Sequence, residues 1–172
     1  MRLAYNRLDS QVARWSAEMS EFEHAVLIDR PVAEVFAFVT DPANNPSWMP
    51  FAVEVAVMTG GPVRVGTRVR QSNGFLGRRF DTIFEVTELE PDRRCAIRFL
   101  AGPVWGTSVY SLAPAGGGTG LVVEMDIEAH RFFRMAEPVF AGVAQLELSA
   151  AAKRLKELLE GAPAAREALL VR

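Results

Sequence analysis

Residues 27–51, LIDRPVAEVFAFVTDPANNPSWMPF, constrain the fold more than any other segment of this chain. They read as the end of a strand, a helix opened by proline, a broken turn, and a tryptophan ahead of the next strand. Pro31 suits a first helical turn, where a backbone N–H has no partner to lose. Val32, Val35, Phe36 and Val39 then recur at helical spacing. Asp41-Pro42 and Asn44-Asn45-Pro46 close the helix, since a residue preceding proline is pushed out of the α region. That order predicts a helix tucked beneath a curved sheet.

From Glu21 to Arg131 strand-like segments alternate with turn signals, which favours an antiparallel meander over repeated βαβ units. Seven strands are expected, near residues 21–29, 52–58, 64–72, 79–89, 94–101, 105–113 and 120–130. Alternation is clearest in the last, where Leu121, Val123, Met125 and Ile127 share one face and Glu124, Asp126 and Glu128 the other. Gly60-Gly61-Pro62, Asn73-Gly74, Pro91-Asp92, Gly102-Pro103 and Gly116-Gly117-Gly118 suit tight reversals. Pro138 begins a long helix that Gly161 and Pro163 stop. At about 1.5 Å per residue it spans about 33 Å, enough to cross a strongly curved sheet. Phe140, Val143, Ala144, Leu148, Ala151, Ala152, Leu155, Leu158 and Leu159 form its apolar stripe. The expected class is α+β: a curved antiparallel seven-stranded sheet wrapped around a long C-terminal helix, with two short helices between strands 1 and 2.

The 172 residues suffice for one domain with a sizeable core, and a formal charge of −2 implies neither a nucleic-acid footprint nor a funnel for acidic substrates. The single Cys95 excludes an intrachain disulfide and favours a reducing compartment. No apolar run approaches the roughly 18 to 20 residues that span a bilayer. The first twenty residues lack a signal-peptide h-region, so a cytoplasmic address without integral membrane association is expected. Lysine occurs only as Lys153 and Lys156 against many arginines, which points to a GC-rich bacterial gene. Residues 1–20 form an N-terminal extension, 21–161 the domain and 162–172 a tail. In the extension Leu8, Val12, Trp15 and Met19 lie on one helical face. Docking on its own domain is expected first, with a homodimer or partner contact as the alternative.

Five features occur in a telling order: Ile28-Asp29-Arg30-Pro31 with Val35-Phe36, the Asp41 to Trp48 stretch, the Glu88-Leu89-Glu90-Pro91 turn, Gly118-Thr119, and the helix ending LKELLEG. Through them residues 22–161 resemble the START-like (SRPBCC) superfamily of polyketide cyclase and lipid transport proteins, in which a sheet grips one long C-terminal helix. The resemblance implies the helix-grip fold. The superfamily hosts lipid carriers, hormone receptors, aromatase/cyclases and other binders, so membership does not choose a function.

In an up-and-down meander alternate connections share an end of the sheet. One set, Gly60-Gly61-Pro62, Pro91-Asp92-Arg93 and Ala115 to Gly118, is polar or glycine-rich. The other carries Phe75, Trp105 and Phe133, large apolar groups where loops are normally solvated. These three are expected around a pocket mouth, with a secondary core closing that end as the alternative. By strand alternation Gln71, Ser108 and Tyr110 face inward with Phe84, Phe99 and Met125, while Phe140 and Ala144 face them from the helix. These eleven residues are the expected ligand-binding set. Small residues on the inward helix face either pack close or leave volume, and the superfamily resemblance favours volume. The function expected is binding or transport of a hydrophobic small molecule such as a lipid, polyketide or isoprenoid. An aromatase/cyclase-like enzyme and a regulatory interaction module are the alternatives.

No catalytic residue, metal or cofactor is expected. Only His24, His130 and Cys95 offer nitrogen or sulfur ligands, without metal-site spacing. Cys95 alternates with Ile97 and Phe99 as a small core residue would. No G-x-S-x-G occurs, and the AGGGTG run from Ala115 lacks P-loop spacing. Arg68, Arg70, Arg78 and Arg79 share their hairpins with Glu54, Asp81 and Glu85, so surface pairing is expected in place of a nucleic-acid patch.

Overall fold

The alternating segments assemble into one antiparallel sheet with the order β1-β7-β6-β5-β4-β3-β2. The structure is a computed structural model, and it describes residues 20–75, 77–129 and 137–161. The strands are β1 (Ser20–Ile28), β2 (Ala52–Val57), β3 (Arg68–Phe75), β4 (Arg78–Glu90), β5 (Arg94–Ala101), β6 (Val104–Ala115) and β7 (Gly118–Ala129). Between β1 and β2 lie α1 (Val32–Thr40), a 3-10 turn (Pro42–Asn44) and the short α2 (Asn45–Trp48); α3 (Glu137–Gly161) follows β7. This is the expected helix-grip α+β arrangement.

Pro31 is the residue before α1, with ψ at 145°, so its fixed φ sets the entry angle into the helix. Val35, Phe36 and Val39 bury the face of α1 that meets the sheet. Asp41 ends α1 and its carboxylate accepts from the Ala43 N–H, starting the 3-10 turn. The asparagine-proline cluster therefore continues as a second, tighter helical segment.

Curvature comes from irregularities in the ladders. The β4–β5 register shifts between Ile83 and Phe84 and again between Val86 and Glu88, and β2 shifts between Ala52 and Glu54. Each extra residue bends and twists its strand. Gly106, at φ 124°, lets β6 press against β7, since a Cβ there would run into the Asp126 carbonyl.

Two expected boundaries are corrected. Strand 3 begins at Arg68 and runs through Asn73-Gly74, which had the look of a reversal, to Phe75; Gly77, ahead of β4, is at φ 74°. Asn73 is held in the strand because its amide donates to the Gln71 carbonyl at 3.1 Å and to Thr82 Oγ1 at 3.2 Å. On α3, Leu158 is 40% exposed and leaves the apolar stripe, while Glu147 enters it four residues after Val143. Residues 1–19 of the N-terminal extension, the tail, Phe133 and His130 lie outside the described residues, while Ser20 opens β1. His24 pairs across the ladder with Val123.

Among the described residues, the interior is filled at one end. Beneath the Gly116-Gly117 end, Ile28, Val35, Leu112, Leu121, Leu155 and Leu159 are all nearly or wholly buried. That end is also clasped: Glu160 Oε1 accepts from the Asp29 N–H at 2.8 Å, Lys156 Nζ donates to the Leu27 carbonyl at 2.6 Å, and Arg30 donates to the Glu160 carbonyl at 3.0 Å. On the outer face Glu85 pairs with Arg68 and Arg98, and Asp81 with Arg70, as the charge distribution predicts.

Candidate functional site

Toward the β3–β4 and β5–β6 turns the sheet, α1, α2 and the first half of α3 enclose a cavity of about 260 Å³. Val39, Trp48, Met49 and Phe51 wall it from the helical side; Phe80, Phe84, Ile97, Phe99, Val104, Val123, Met125 and Ile127 line the sheet; Val143, Glu147, Leu148 and Ala151 close it along α3. A cavity of about 150 Å³ lined by apolar side chains stays dry and admits benzene. This one admits a molecule nearer two rings.

Of the expected ligand-binding residues, Gln71, Phe84, Phe99, Ser108, Tyr110 and Met125 all line this cavity. Trp105 does not. Its neighbours Pro103 and Val104 do, but Trp105 is 46% exposed on the opposite face of β6. In a strand a one-residue offset reverses the face, so the loop was identified and the side chain was not. Phe75 sits at the β3–β4 turn opposite Arg78. The side chains of Phe75, Phe140 and Ala144, and the whole of Phe133, lie outside the described residues.

Polar groups on the wall fall into three sets. The first is a satisfied chain: Asn45 Nδ2 donates to Gln71 Oε1 at 2.9 Å, and Gln71 Nε2 donates to Asn73 Oδ1 at 2.8 Å. Asn73 continues it to Thr82, so α2 is tied across β3 to β4 beside the cavity. Asn45, Asn73 and Thr82 are each at least nine-tenths buried. The second set is less well satisfied. Trp48 Nε1 is buried without a hydrogen-bond partner, and the equally buried Ser108 Oγ has only the Tyr110 hydroxyl to pair with. Tyr110 is two positions along β6 from Ser108 and edge to face with Trp48, ring centroids 6.5 Å apart at 79°. Burial pushes the Tyr110 hydroxyl up to about 12, with its hydrogen bond to Ser108 opposing the rise.

The third set is ionisable. Cys95 faces the cavity, and desolvation, with a lesser push from Glu88, raises its thiol to about 11; near neutral pH it stays protonated and unreactive. Glu147 is half-buried at the wall, and desolvation raises its carboxyl above the ordinary value. Neither Glu147 nor Trp48 was among the expected site residues. The spacing of Glu147 from Val143 signalled its face, but a carboxylate within an apolar stripe reads as surface.

Among the described residues no group of three or more His, Cys, Asp or Glu side chains is placed to hold a metal, and no helix is long and apolar enough to cross a membrane. The profile of the family described as polyketide cyclase/dehydrase and lipid transport matches residues 19–160. The chain belongs to that family.

Several solved structures share the fold of this chain. A protein from Thermus thermophilus superposes with TM-score 0.72 at 18% identity, covering 83% of this chain and 99% of its own. A START superfamily protein from Mycobacterium smegmatis gives 0.70 at 18%, covering 82% and 97%. An aromatase/cyclase from a Streptomyces species gives 0.62 at 20%, covering 81% and 95%. At such identities the likeness is one of fold. No curated protein matches the sequence.

Proposed function

We propose that this protein binds a hydrophobic small molecule in the cavity between the sheet and the first half of α3, as a carrier or sensor. One observation carries the reading: among the described residues, the interior is packed at the glycine-rich end and hollow at the other, with walls that are mainly apolar and carry a few placed polar groups. Ligand pockets typically have this composition. An interaction module with no ligand needs no such volume. The family, whose description includes lipid transport, supports the same reading.

Fluorescence titration with 1-naphthylamine, a bicyclic dye that is neutral near pH 7 and of a size the cavity admits, tests it. Saturable enhancement with one site per chain is expected. Absence of binding by the folded protein would remove the reading.

A second reading, cyclase-like catalysis, is favoured by Glu147. A carboxyl raised by burial at the wall of an apolar cavity suits proton transfer to or from a bound ketone or enol. Glu147→Gln distinguishes the two readings: a carrier keeps its dye affinity and has no turnover to lose, whereas an enzyme of this kind keeps affinity and loses turnover.

A further inference from the structure

The outer face of β1 and β7 is acidic without compensation. Glu21 and Glu23 of β1 and Glu124, Asp126 and Glu128 of β7 all project there, on the side opposite buried Phe22, Leu121, Val123 and Ile127. The register sets Glu21 directly across from Asp126 and Glu23 across from Glu124. Like charges so placed are destabilising. Toward β3 and β5 the carboxylates of Asp81, Glu85 and Glu88 are each paired with an arginine, whereas none of these five is paired among the described residues. Asp126 Oδ1 is moreover buried without a hydrogen-bond partner. All of them but Glu128 line a groove of about 520 Å³ together with Thr107 and Val109 of β6. Arg94, also on the groove, is already engaged by Glu88 at 3.0 Å and Ser111 at 3.2 Å. Trp105, 46% exposed, stands across from Glu128 on the same face. A half-exposed indole beside unpaired carboxylates suits an occupant that is both apolar and cationic.

We infer that residues 1–19 of the same chain fold back over this face as a helix, with Leu8, Val12 and Trp15 against Trp105 and Val109 and their arginines against the carboxylates. Position, length and charge choose this occupant. The described chain begins at Ser20, across from Ile127 and one ladder position from the Glu128–Trp105 pair, so the extension enters at the margin of the face. Being covalently attached, it meets the face at a high effective concentration, and even a weak contact is populated. As a helix, residues 8–19 cover about 18 Å, enough for the roughly 14 Å that separate β1 from β5 across β7 and β6. The segment carries Arg2, Arg7 and Arg14 against Asp9 and Glu18 and has no lysine. Arg7 and Arg14, about two turns apart, flank one side of the apolar stripe. Docking neutralises the two like-charge pairs of the ladder and covers the Trp105 indole in one contact. It lies on the side of the sheet opposite the cavity and is independent of any ligand there.

The test places a nitroxide spin label on Ser16→Cys in the full chain, at a position bordering the stripe. Cys95 is buried and its thiol stays protonated near neutral pH, so it escapes the label. Amide resonances of Thr107, Val109, Glu124 and Asp126 should lose most of their intensity, while those of Val55 and Arg70 toward the far edge of the sheet keep theirs. A mixture of labelled chain without isotope and unlabelled, isotope-enriched chain should show no loss, since the contact is within one molecule. Charge reversal on either side, Arg7→Glu with Arg14→Glu or Glu23→Lys with Glu124→Lys, should restore the intensities, and combining all four changes should remove them again. Resonances of Ile28 and Leu121 at the packed end report that each variant is folded. Full intensity on this face in the labelled chain would overturn the inference. So would loss that appears in the mixture, which would make a second copy the occupant, or loss that neither reversal relieves in a folded variant.

Discussion

Ala151→Phe probes the hollow half of the interior directly. Ala151 is 6% exposed on the face of α3 that closes the cavity. Long side chains on a helix lean back toward its N-terminus, and the cavity lies along the N-terminal half of α3, beside Val143, Glu147 and Leu148. The new ring therefore points into the void and away from packed Leu155 and Leu159. A benzene ring needs about 150 Å³ of the roughly 260 Å³ present, so it fits without displacing its neighbours and leaves too little room for a bicyclic ligand. Burying a phenylalanine side chain is worth about 1.5 to 3 kcal/mol; allowing for imperfect fit, the expected outcome is a stability unchanged or raised by about 1 to 2 kcal/mol. For a domain of this size that is a rise in Tm of roughly 2 to 8 °C. Overfilling a packed core instead costs about 1 to 3 kcal/mol. Thermal denaturation beside the dye titration reads both quantities. A variant that melts several degrees lower than its parent and still binds dye at full affinity would refute the hollow interior.

Cys95, with its thiol raised to about 11, should react with iodoacetamide at pH 7.5 far more slowly in the folded protein than in urea, and equal rates would place it outside the cavity wall. Glu147 and Glu160 should give pH dependences of opposite sign. Desolvation raises Glu147 above its ordinary value near 4.5, so its relative stabilisation is full below that value and is lost as pH rises through the folded value; Glu147→Gln should gain on wild type as pH rises. Glu160 is lowered, first by its bond from Lys156 and then by the Asp29 N–H, so its contribution is present above 4.5 and is lost as pH falls through the lower folded value; Glu160→Gln should lose its disadvantage in acid. Melting curves between pH 3 and 8 check both, and matching signs would contradict the assignment. Trp105→Ala should leave dye affinity within about twofold, given its place on the outer face; a tenfold loss, about 1.4 kcal/mol, would return it to the pocket.

Much of the fold was legible because strand alternation and turn chemistry are local. Leu121, Val123 and Ile127 announce their buried face, and Pro31 to Val39 announce the helix beneath the sheet. The same alternation placed Gln71, Ser108 and Tyr110 on the cavity side. Where it failed, a tertiary partner had overridden a local signal. Asn73-Gly74 reads as a turn, yet Thr82 and the Gln71 carbonyl hold Asn73 in a strand. Trp105 follows a glycine-proline turn whose end local signals define only to within a residue, and one residue reverses a face. Sorting the connections by content separated an apolar end from a glycine-rich one, but the size of the hollow between sheet and helix was not legible. It depends on where the ladder bulges bend β2, β4 and the sheet as a whole, which no single segment encodes. The unpartnered indole N–H of Trp48 shares that dependence, since Trp48 alone is an ordinary core residue.

Methyl-resolved NMR during titration with the bicyclic dye 1-naphthylamine tests the central claim most directly. Methyls at Val39, Ile97, Val123, Met125, Ile127 and Val143, all on the cavity wall, should shift together and saturate, while those of Ile28, Leu121, Leu155 and Leu159 at the packed end stay in place. Shifts confined to the packed end, or none at all at saturating dye, would contradict a ligand cavity in this fold.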